Sequence, residues 1–195
     1  PDSVVVNDPK MENWNISAGF RKSCGHECYR FSPHSLNTHR YNPFDYIRRD
    51  ELYRLGDTKK VASIWFQPDN PKNKGFFSQA GNIFSSIIMY LMETPSLPCT
   101  PPEVYKIVAK GDGLAEWTQE VINMRKESGN PLSEETELEL QRIITSSANK
   151  SGFPIVLGIL DERLAMFGEK TVAYATSASD FDFRELRKKK MSIYF

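Results

Sequence analysis

The segment Phe76 to Glu93 constrains the fold more than any other part of the sequence. Its apolar residues recur three and four positions apart, a spacing that places them on one face of an α-helix. Pro95 follows shortly afterwards, and proline cannot continue a helix. The segment therefore predicts a long amphipathic helix in the core. The predicted apolar face consists of Phe76, Phe77, Ala80, Ile83, Phe84, Ile87, Ile88 and Leu91.

Capping patterns predict further helices on both sides of this segment. Asp57 is expected to cap a helix whose inward residues are Val61, Ile64 and Trp65 and which stops at Pro68. Thr100-Pro101-Pro102-Glu103 has the form of a capping box, with Pro at the first helical position. Several helices joined by short loops predict a helical bundle.

Three later helices complete this bundle. Leu114 to Ser128 is predicted to place Leu114, Trp117, Val121 and Met124 inward. Ser133 is expected to cap a helix with several early glutamates, which favour the positive end of the helix dipole. Another helix is predicted from about Pro154 to Phe167.

Strands are predicted near both ends of the sequence. Val4-Val5-Val6 is a continuous apolar run, typical of a strand buried on both faces. A short helix over Ile16 to Lys22 and a strand over Glu27 to Phe31 complete a segment of the size of a βαβ unit. Ser192 to Phe195 predicts a further strand. The predicted fold class is mainly α, with a helical bundle inserted between strands. Because strands lie so close to both ends, we expect an excerpt from a longer chain.

Charge and cysteine content exclude several classes of protein. Lys plus Arg is 25 and Asp plus Glu is 25, and this balance argues against a protein that coats nucleic acid or anionic membrane over its whole surface. Three cysteines argue against a disulfide-stapled secreted domain. No apolar run is long enough to predict a membrane span.

Asp8, Lys10 and Glu12 directly follow the first predicted strand. Polar residues at the carboxyl end of a buried strand often form ligand sites in open α/β sheets. Lys10 could contact phosphate, while Asp8 or Glu12 orients water or Mg²⁺. Half of a metal-dependent nuclease site is a second interpretation, and a polar turn with a solvated lysine is a third.

Cys24-Gly25-His26-Glu27-Cys28 has the residue types of a metal site. Structural zinc sites need a second pair of ligands elsewhere, and the sequence offers no such pair. We therefore predict no metal site here and expect Cys28 to be a small core residue.

A set of motifs, in the same order along the chain, resembles the TraG-like coupling proteins of type IV secretion. Ser3 to Asn13 is similar to their SVVVTDPKGEN stretch, although Met11 stands where glycine is usual. Tyr41 to Ile47 resembles WNPLDYI. The other matching segments are Ser17 to Arg21, Gly25 to Glu27, Phe31 to Pro33, Tyr90 to Pro95, Glu169 to Thr171, Ser179 to Asp182 and Met191 to Tyr194.

The resemblance implies a membrane-anchored, hexameric, RecA-like ATPase that hands DNA–relaxase complexes or effector proteins to a secretion channel. It implies that residues 1–52 and 168–195 belong to a partial RecA-like nucleotide-binding domain. It also implies that residues 53–167 form an inserted all-helical substrate-recognition domain. The P-loop and Walker B strand are expected outside this sequence, so ATP and Mg²⁺ belong to the longer protein. The implied location is the cytoplasmic side of the bacterial inner membrane. Implied partners are secretion substrates, an adaptor protein, other secretion subunits and, through the hexamer, DNA.

Cargo docking is predicted on two exposed parts of the helical zone. One is the acidic start of the helix that follows Ser133, and the other is the loop from Gln67 to Lys74. Helix-start stabilisation is the alternative role of the glutamates. The candidate docking residues are Glu134, Glu135, Glu137, Glu139, Asp69, Lys72 and Lys74.

Two rival functions remain open from the sequence. One is a small metal-dependent nuclease that uses the Asp8-x-Lys10 motif, and the other is a purely structural bundle. Mg²⁺-dependent cleavage of plasmid DNA would separate the nuclease from the others.

No Gly-rich loop ending in Gly-Lys-Ser/Thr is present, so we expect no ATP hydrolysis by this chain alone.

Overall fold

A computed structural model describes residues 2–195, which form eight α-helices and a three-stranded parallel sheet. The prediction of a mainly α fold is confirmed. The strands are β1 (Val4–Val6), β2 (Glu27–Arg30) and β3 (Met191–Tyr194). The helices are α1 (Glu12–Ser23), α2 (Arg54–Trp65), α3 (Lys74–Met92), α4 (Pro101–Val108), α5 (Leu114–Glu127), α6 (Glu134–Ser147), α7 (Phe153–Leu164) and α8 (Lys170–Ala175).

The described chain divides into two compact units. The helical unit is Phe44–Gly168 and contains α2 to α7. The sheet unit consists of the residues up to Pro43 together with Glu169–Phe195, and it contains β1 to β3, α1 and α8. No described helix combines the length and the apolar character needed to cross a membrane.

In the sheet unit, β3 lies between β1 and β2 and is parallel to both. Every residue of β3 is fully buried. On one face, Ala18 of α1 packs against Cys28 and Tyr194, so the prediction of a core Cys28 is confirmed. The opposite face has a cluster of Phe181, Met191 and Ile193. The central strand therefore supplies core residues to both faces of the sheet.

The prediction that β1 is buried on both faces is wrong. Val5 is 51% exposed, because β1 pairs only with β3 within the described residues. Val6 packs into the cluster beneath α1, but the cluster on the other face contains no β1 residue. An apolar run alone does not distinguish a central strand from an edge strand.

Helix α3 forms the centre of the helical unit and packs against α2, α6 and α7. Ile83, Phe84, Ile87 and Ile88 are at most 1% exposed, so the predicted core helix is confirmed. Aromatic rings surround Phe84, and the ring of Trp65 lies 5.2 Å away from it, centre to centre. Because several helices cover α3, most of its second half is buried on all sides.

The capping predictions have mixed outcomes. Ser133 caps α6 as predicted, since its hydroxyl oxygen accepts the Thr136 N–H at 3.2 Å. Pro101 occupies the first position of α4, but the Thr100 side chain makes no capping hydrogen bond, so the capping-box prediction is wrong. The Glu103 carboxylate instead accepts from Lys106 Nζ at 2.8 Å.

Helix α2 begins at Arg54, earlier than predicted. Asp57 is therefore not its cap; the carboxylate accepts from Arg48 Nε at 2.6 Å. The buried residues of α2 include Thr58 and Ala62. Ile64 follows two positions after Ala62, which places it on the other side of the helix, and it is 67% exposed. The inward placement predicted for Ile64 is wrong, as is that of Met124 in α5.

Candidate functional site

Asp8 follows β1 at the carboxyl end of the parallel sheet. Its backbone N–H donates to the Phe195 carbonyl oxygen at 2.5 Å, and the Phe195 N–H donates to the Val6 carbonyl oxygen at 2.9 Å. Only 2% of Asp8 is exposed. These main-chain bonds extend the pairing of β1 with β3 and hold Asp8 beside the start of α1.

The Asp8 carboxylate accepts hydrogen bonds from the first turn of α1. Oδ1 accepts from the Asn13 N–H at 3.1 Å and from its side-chain amide at 3.2 Å, while Oδ2 accepts from the Trp14 N–H at 2.8 Å. Burial raises the pKa of this carboxyl, but the amide hydrogen bonds outweigh that effect and the pKa lies below its ordinary value. Asp8 therefore satisfies N–H groups that a helix start leaves free.

Lys10 and Glu12 are exposed and lie beside this cap. Both oxygens of Asp8 are occupied by helix amides, so this arrangement gives no support to metal-dependent cleavage. Within residues 2–195, no group of three or more His, Cys, Asp or Glu side chains could hold a metal ion. A nucleotide neighbourhood of Asp8, Lys10 and Glu12 stays a prediction.

Met11 joins this turn to α1 in a left-handed conformation, with φ 56° and ψ 21°. Its N–H donates to the Asp8 carbonyl oxygen at 2.9 Å. Left-handed backbone favours glycine, because a Cβ crowds the following carbonyl oxygen. The turn therefore has the conformation that suits the glycine of the similar motif, although methionine occupies the position here.

The predicted acidic docking set on α6 is mostly paired within the helical unit. Glu135 lies 3.1 Å from Arg54 Nε, and Glu137 lies 2.5 Å from Lys126 Nζ. Glu139 is 3% exposed and lies 3.1 Å from Lys59 Nζ, so the expectation that Glu139 is exposed is wrong. Glu134 is exposed. Cargo docking by these glutamates stays a prediction.

A shallow cleft of about 300 Å³ adjoins the acidic start of α6. Glu134 and Glu137 border it, together with Leu132 and Leu138, and Leu138 is 61% exposed. This combination of carboxylates and an exposed leucine suits a basic segment with an apolar side chain. The sequence pattern shows the carboxylates but not the cleft.

The predicted docking loop lies between α2 and α3. Asp69 pairs with Arg163 at 3.1 Å, while Lys72 and Lys74 are exposed. The Asn70 side chain accepts the Lys72 N–H at 3.0 Å, which begins a single 3-10 turn over Pro71–Asn73. The loop is therefore a surface segment, as its Pro and Asn content predicts.

A buried polar junction that the sequence does not predict joins α2, α3 and α6. Arg54 Nη1 lies 2.9 Å from Glu93 Oε1, and the hydroxyls of Ser133 and Thr136 donate to the same oxygen at 2.6 and 2.7 Å. Burial raises the pKa of Glu93, but the hydrogen bonds and the Arg54 charge together hold it below its ordinary value. The contacts join residues far apart in sequence, and the spacing of apolar residues along a helix does not predict such contacts.

The whole chain matches one protein-family model. The family is described as type IV secretory system conjugative DNA transfer, and the match covers residues 1–195.

Individual relatives agree with this match. Protein VirD4 from Rhizobium radiobacter is 28% identical over 208 residues, covering 98% of this chain and 27% of its own length. Protein VirD4 from Agrobacterium fabrum is 27% identical over 208 residues, covering 98% of this chain and 28% of its own length. Conjugal transfer protein TraG from Escherichia coli is 25% identical over 193 residues, covering 94% of this chain and 30% of its own length.

The chain spans less than a third of the length of these relatives, but it matches the family model along its whole length. The resemblance of its ordered motifs to type IV secretion coupling proteins is confirmed. The chain belongs to the family of type IV secretory system conjugative DNA transfer proteins.

Proposed function

We propose that this chain is the substrate-recognition part of a type IV secretion coupling protein, with adjoining parts of its nucleotide-binding domain. The observation that supports it is the order of elements in a member of this family. β1, α1 and β2 precede the helical unit in sequence, and β3 follows it. A helical bundle inserted between strands of a RecA-like domain accounts for this order.

In this proposal, the longer protein is a hexameric ATPase at the cytoplasmic side of the bacterial inner membrane. It binds ATP and Mg²⁺ through segments outside these 195 residues, since no phosphate-binding Gly-Lys-Ser/Thr loop occurs here. Its partners are relaxase or effector substrates, an adaptor protein, other secretion subunits and DNA. The helical unit recruits the protein substrates, and the sheet unit links this recruitment to the nucleotide-binding domain.

Cargo docking is assigned to the cleft at the start of α6. Glu134 supplies exposed negative charge there, Glu137 adds a carboxylate that it shares with Lys126, and the exposed Leu138 supplies apolar surface. Opposite charges steer association, and salt weakens the effect because exposed charges are screened within about 10 Å at 0.1 M. A basic cargo tail with an apolar side chain fits this cleft.

The test compares binding of a purified relaxase or effector to two charge-matched variants at low and high salt. The docking variant is Glu134→Gln with Glu137→Gln, which leaves Glu135 in place because Glu135 pairs with the buried Arg54. The control is Glu116→Gln with Glu120→Gln, two exposed residues of α5. We expect weaker, less salt-dependent binding for the docking variant alone. Equal binding by the docking variant, the control and the wild type would exclude this cleft as the docking site.

A further inference from the structure

A second cleft lies between α2 and α3 in the helical unit, with a volume of about 310 Å³. This volume is at the lower end of the range for ligand pockets in proteins. Its apolar lining includes Ala62 and Phe66 of the α2 side and Phe77 of α3. A cleft of this size accepts about one or two side chains of a bound segment, but not a whole helix.

Small residues form the middle of this cleft. Gly81 has no side chain there, and a Cβ at this position would lie 3.6 Å from the Cβ atoms of Ala62 and Phe66. Ser78 also lines the cleft and is exposed at its surface. The two helices therefore approach each other closely at Gly81, while the cleft stays open at the surface near Ser78.

Two lysines give the cleft a positive charge. Lys74 is exposed and has no ion-pair or hydrogen-bond partner for its side chain within residues 2–195. Lys59 is 41% exposed, and its ammonium lies 3.1 Å from the buried Glu139. Glu139 is also 3.2 Å from Arg142, so this carboxylate is shared between two cations. The nearby Asp69 pairs with Arg163. The local charge therefore favours an anionic partner.

Ser85 lines the same cleft and has an unsatisfied hydroxyl. The residue is fully buried, and its Oγ has no hydrogen-bond partner in the described part of the chain. A buried hydroxyl without a partner is unfavourable, and most buried polar atoms in native proteins are paired. Ser85 therefore gives the lining of the cleft one polar atom that the described part of the chain leaves without a partner.

From these observations we infer that the α2–α3 cleft binds an acidic peptide segment with one apolar anchor side chain. The apolar side chain packs on Ala62, Phe66 and Phe77. Flanking carboxylates of the segment lie near Lys74 and Lys59, where their charge is complementary. The α2–α3 cleft takes an acidic partner, whereas the partner proposed for the α6 cleft is basic. The inference about the α2–α3 cleft does not depend on the proposal for the α6 cleft.

The probe is a fluorescently labelled peptide of sequence Ser-Glu-Glu-Phe-Glu-Glu-Ser, titrated with the 195-residue chain at low salt. Two matched peptides serve as controls: one has every Glu replaced by Lys, and the other has Phe replaced by Ser. The variants are Lys74→Glu, which reverses the charge at the cleft, and Ser78→Trp, which fills it from the surface. Lys72→Glu is the matched control, because Lys72 is exposed two residues before Lys74 but does not line the cleft.

We expect the acidic peptide to bind more tightly than both control peptides. Lys74→Glu should weaken its binding about fivefold or more, and Ser78→Trp should weaken it similarly, while Lys72→Glu changes it less than about twofold. Circular dichroism checks that each variant keeps its helices. The inference is wrong if the acidic peptide fails to bind up to about 1 mM, if the basic peptide binds more tightly, or if Lys74→Glu and Lys72→Glu behave alike.

The cleft could instead be covered by a second copy of this chain. Sedimentation of the wild type and of Ser78→Trp separates the two cases. A monomeric wild type supports the peptide site. A wild-type dimer that Ser78→Trp dissociates would overturn it.

Discussion

Arg54 Nη1 lies 2.9 Å from Glu93 Oε1, and only 8% and 14% of the two side chains are exposed. Arg54 begins α2 and Glu93 follows the last residue of α3. The Ser133 N–H also donates to Glu93, at 2.8 Å, so the start of α6 is held at the same point. One carboxylate therefore fixes the ends of three helices relative to one another.

Replacing Arg54 should destabilise the helical unit strongly. Arg54→Ala leaves the Glu93 carboxylate buried without its cation, and breaking a buried pair from one side costs about 3–5 kcal/mol. Urea denaturation followed by circular dichroism measures this loss.

The control for Arg54→Ala is Lys60→Ala on the same helix. Lys60 is 77% exposed and lies 3.6 Å from Asp57, and exposed pairs contribute about 0–1 kcal/mol. The double variant Arg54→Met with Glu93→Leu should lose less stability than the sum of its single variants, because neither charge is then left alone. Strictly additive losses would show that the two residues do not interact.

The stability of the helical unit should fall in acid partly through Glu93. Its folded pKa is below the ordinary value of 4.5, so ionised Glu93 stabilises the fold at pH values above its unfolded pKa. That contribution is lost as pH falls through the lower, folded pKa. Urea midpoints measured from about pH 7 down to about pH 3 should fall less steeply in Glu93→Gln than in the wild type. Parallel curves would contradict this assignment.

Truncation of a core side chain in α3 should lower the stability of the helical unit. Ile87 is fully buried in α3, and Ile87→Ala should remove about 2–5 kcal/mol through lost burial and a residual cavity. Lys106→Ala is the comparison, since this exposed side chain only pairs with Glu103 at 2.8 Å. A thermal melt distinguishes the two variants. Similar small shifts in both would mean that Ile87 is not a core residue.

Replacing Asp8 should destabilise α1 in the sheet unit. Asp8→Ala leaves the N–H groups of Asn13 and Trp14 without their acceptor, so we expect faster amide hydrogen exchange in α1. Lys10→Ala, at an exposed neighbour, should leave exchange unchanged. Exchange in α3 should be the same in both variants. Protection of α1 that survives Asp8→Ala would refute the capping role.

Met11→Gly should stabilise the sheet unit by up to about 1 kcal/mol. The left-handed φ of 56° at Met11 is unfavourable for a residue with a Cβ and nearly free of cost for glycine. Greater flexibility of glycine in the unfolded chain reduces this gain. Met11→Ala, which keeps the Cβ, should show no such gain in a denaturant titration. A loss of stability in Met11→Gly would show that Met side-chain packing outweighs the backbone strain.

Local patterns in the sequence predicted the parts of the fold that depend on local chemistry. The three- and four-residue spacing of apolar side chains identified α3, and Ser133 identified the start of α6. Both depend on residues within a few positions of each other. The exposed loop between α2 and α3 was predicted for the same reason, from its Pro and Asn content.

Long-range packing explains the predictions that failed. Exposure of Val5 depends on which neighbours lie on each side of β1, and this information is not in the strand itself. Burial of Glu139 depends on its pairing with Lys59 of another helix. The Arg54–Glu93 contact likewise joins two helices. Ordered motifs identified the family, but they could not show which polar side chains meet.

The central position of β3 has a consequence for the order of folding. β1 and β2 both pair with this strand, which comes last of the three in sequence. A ribosome therefore releases the complete helical unit before the strand that joins β1 to β2. Domains generally fold as units during synthesis, and closing a long loop has an entropic cost. The helices can form before β3 is available to pair with β1 and β2, so a product that stalls or ends before β3 would expose the edges of both strands that pair with β3 to chaperones and proteases.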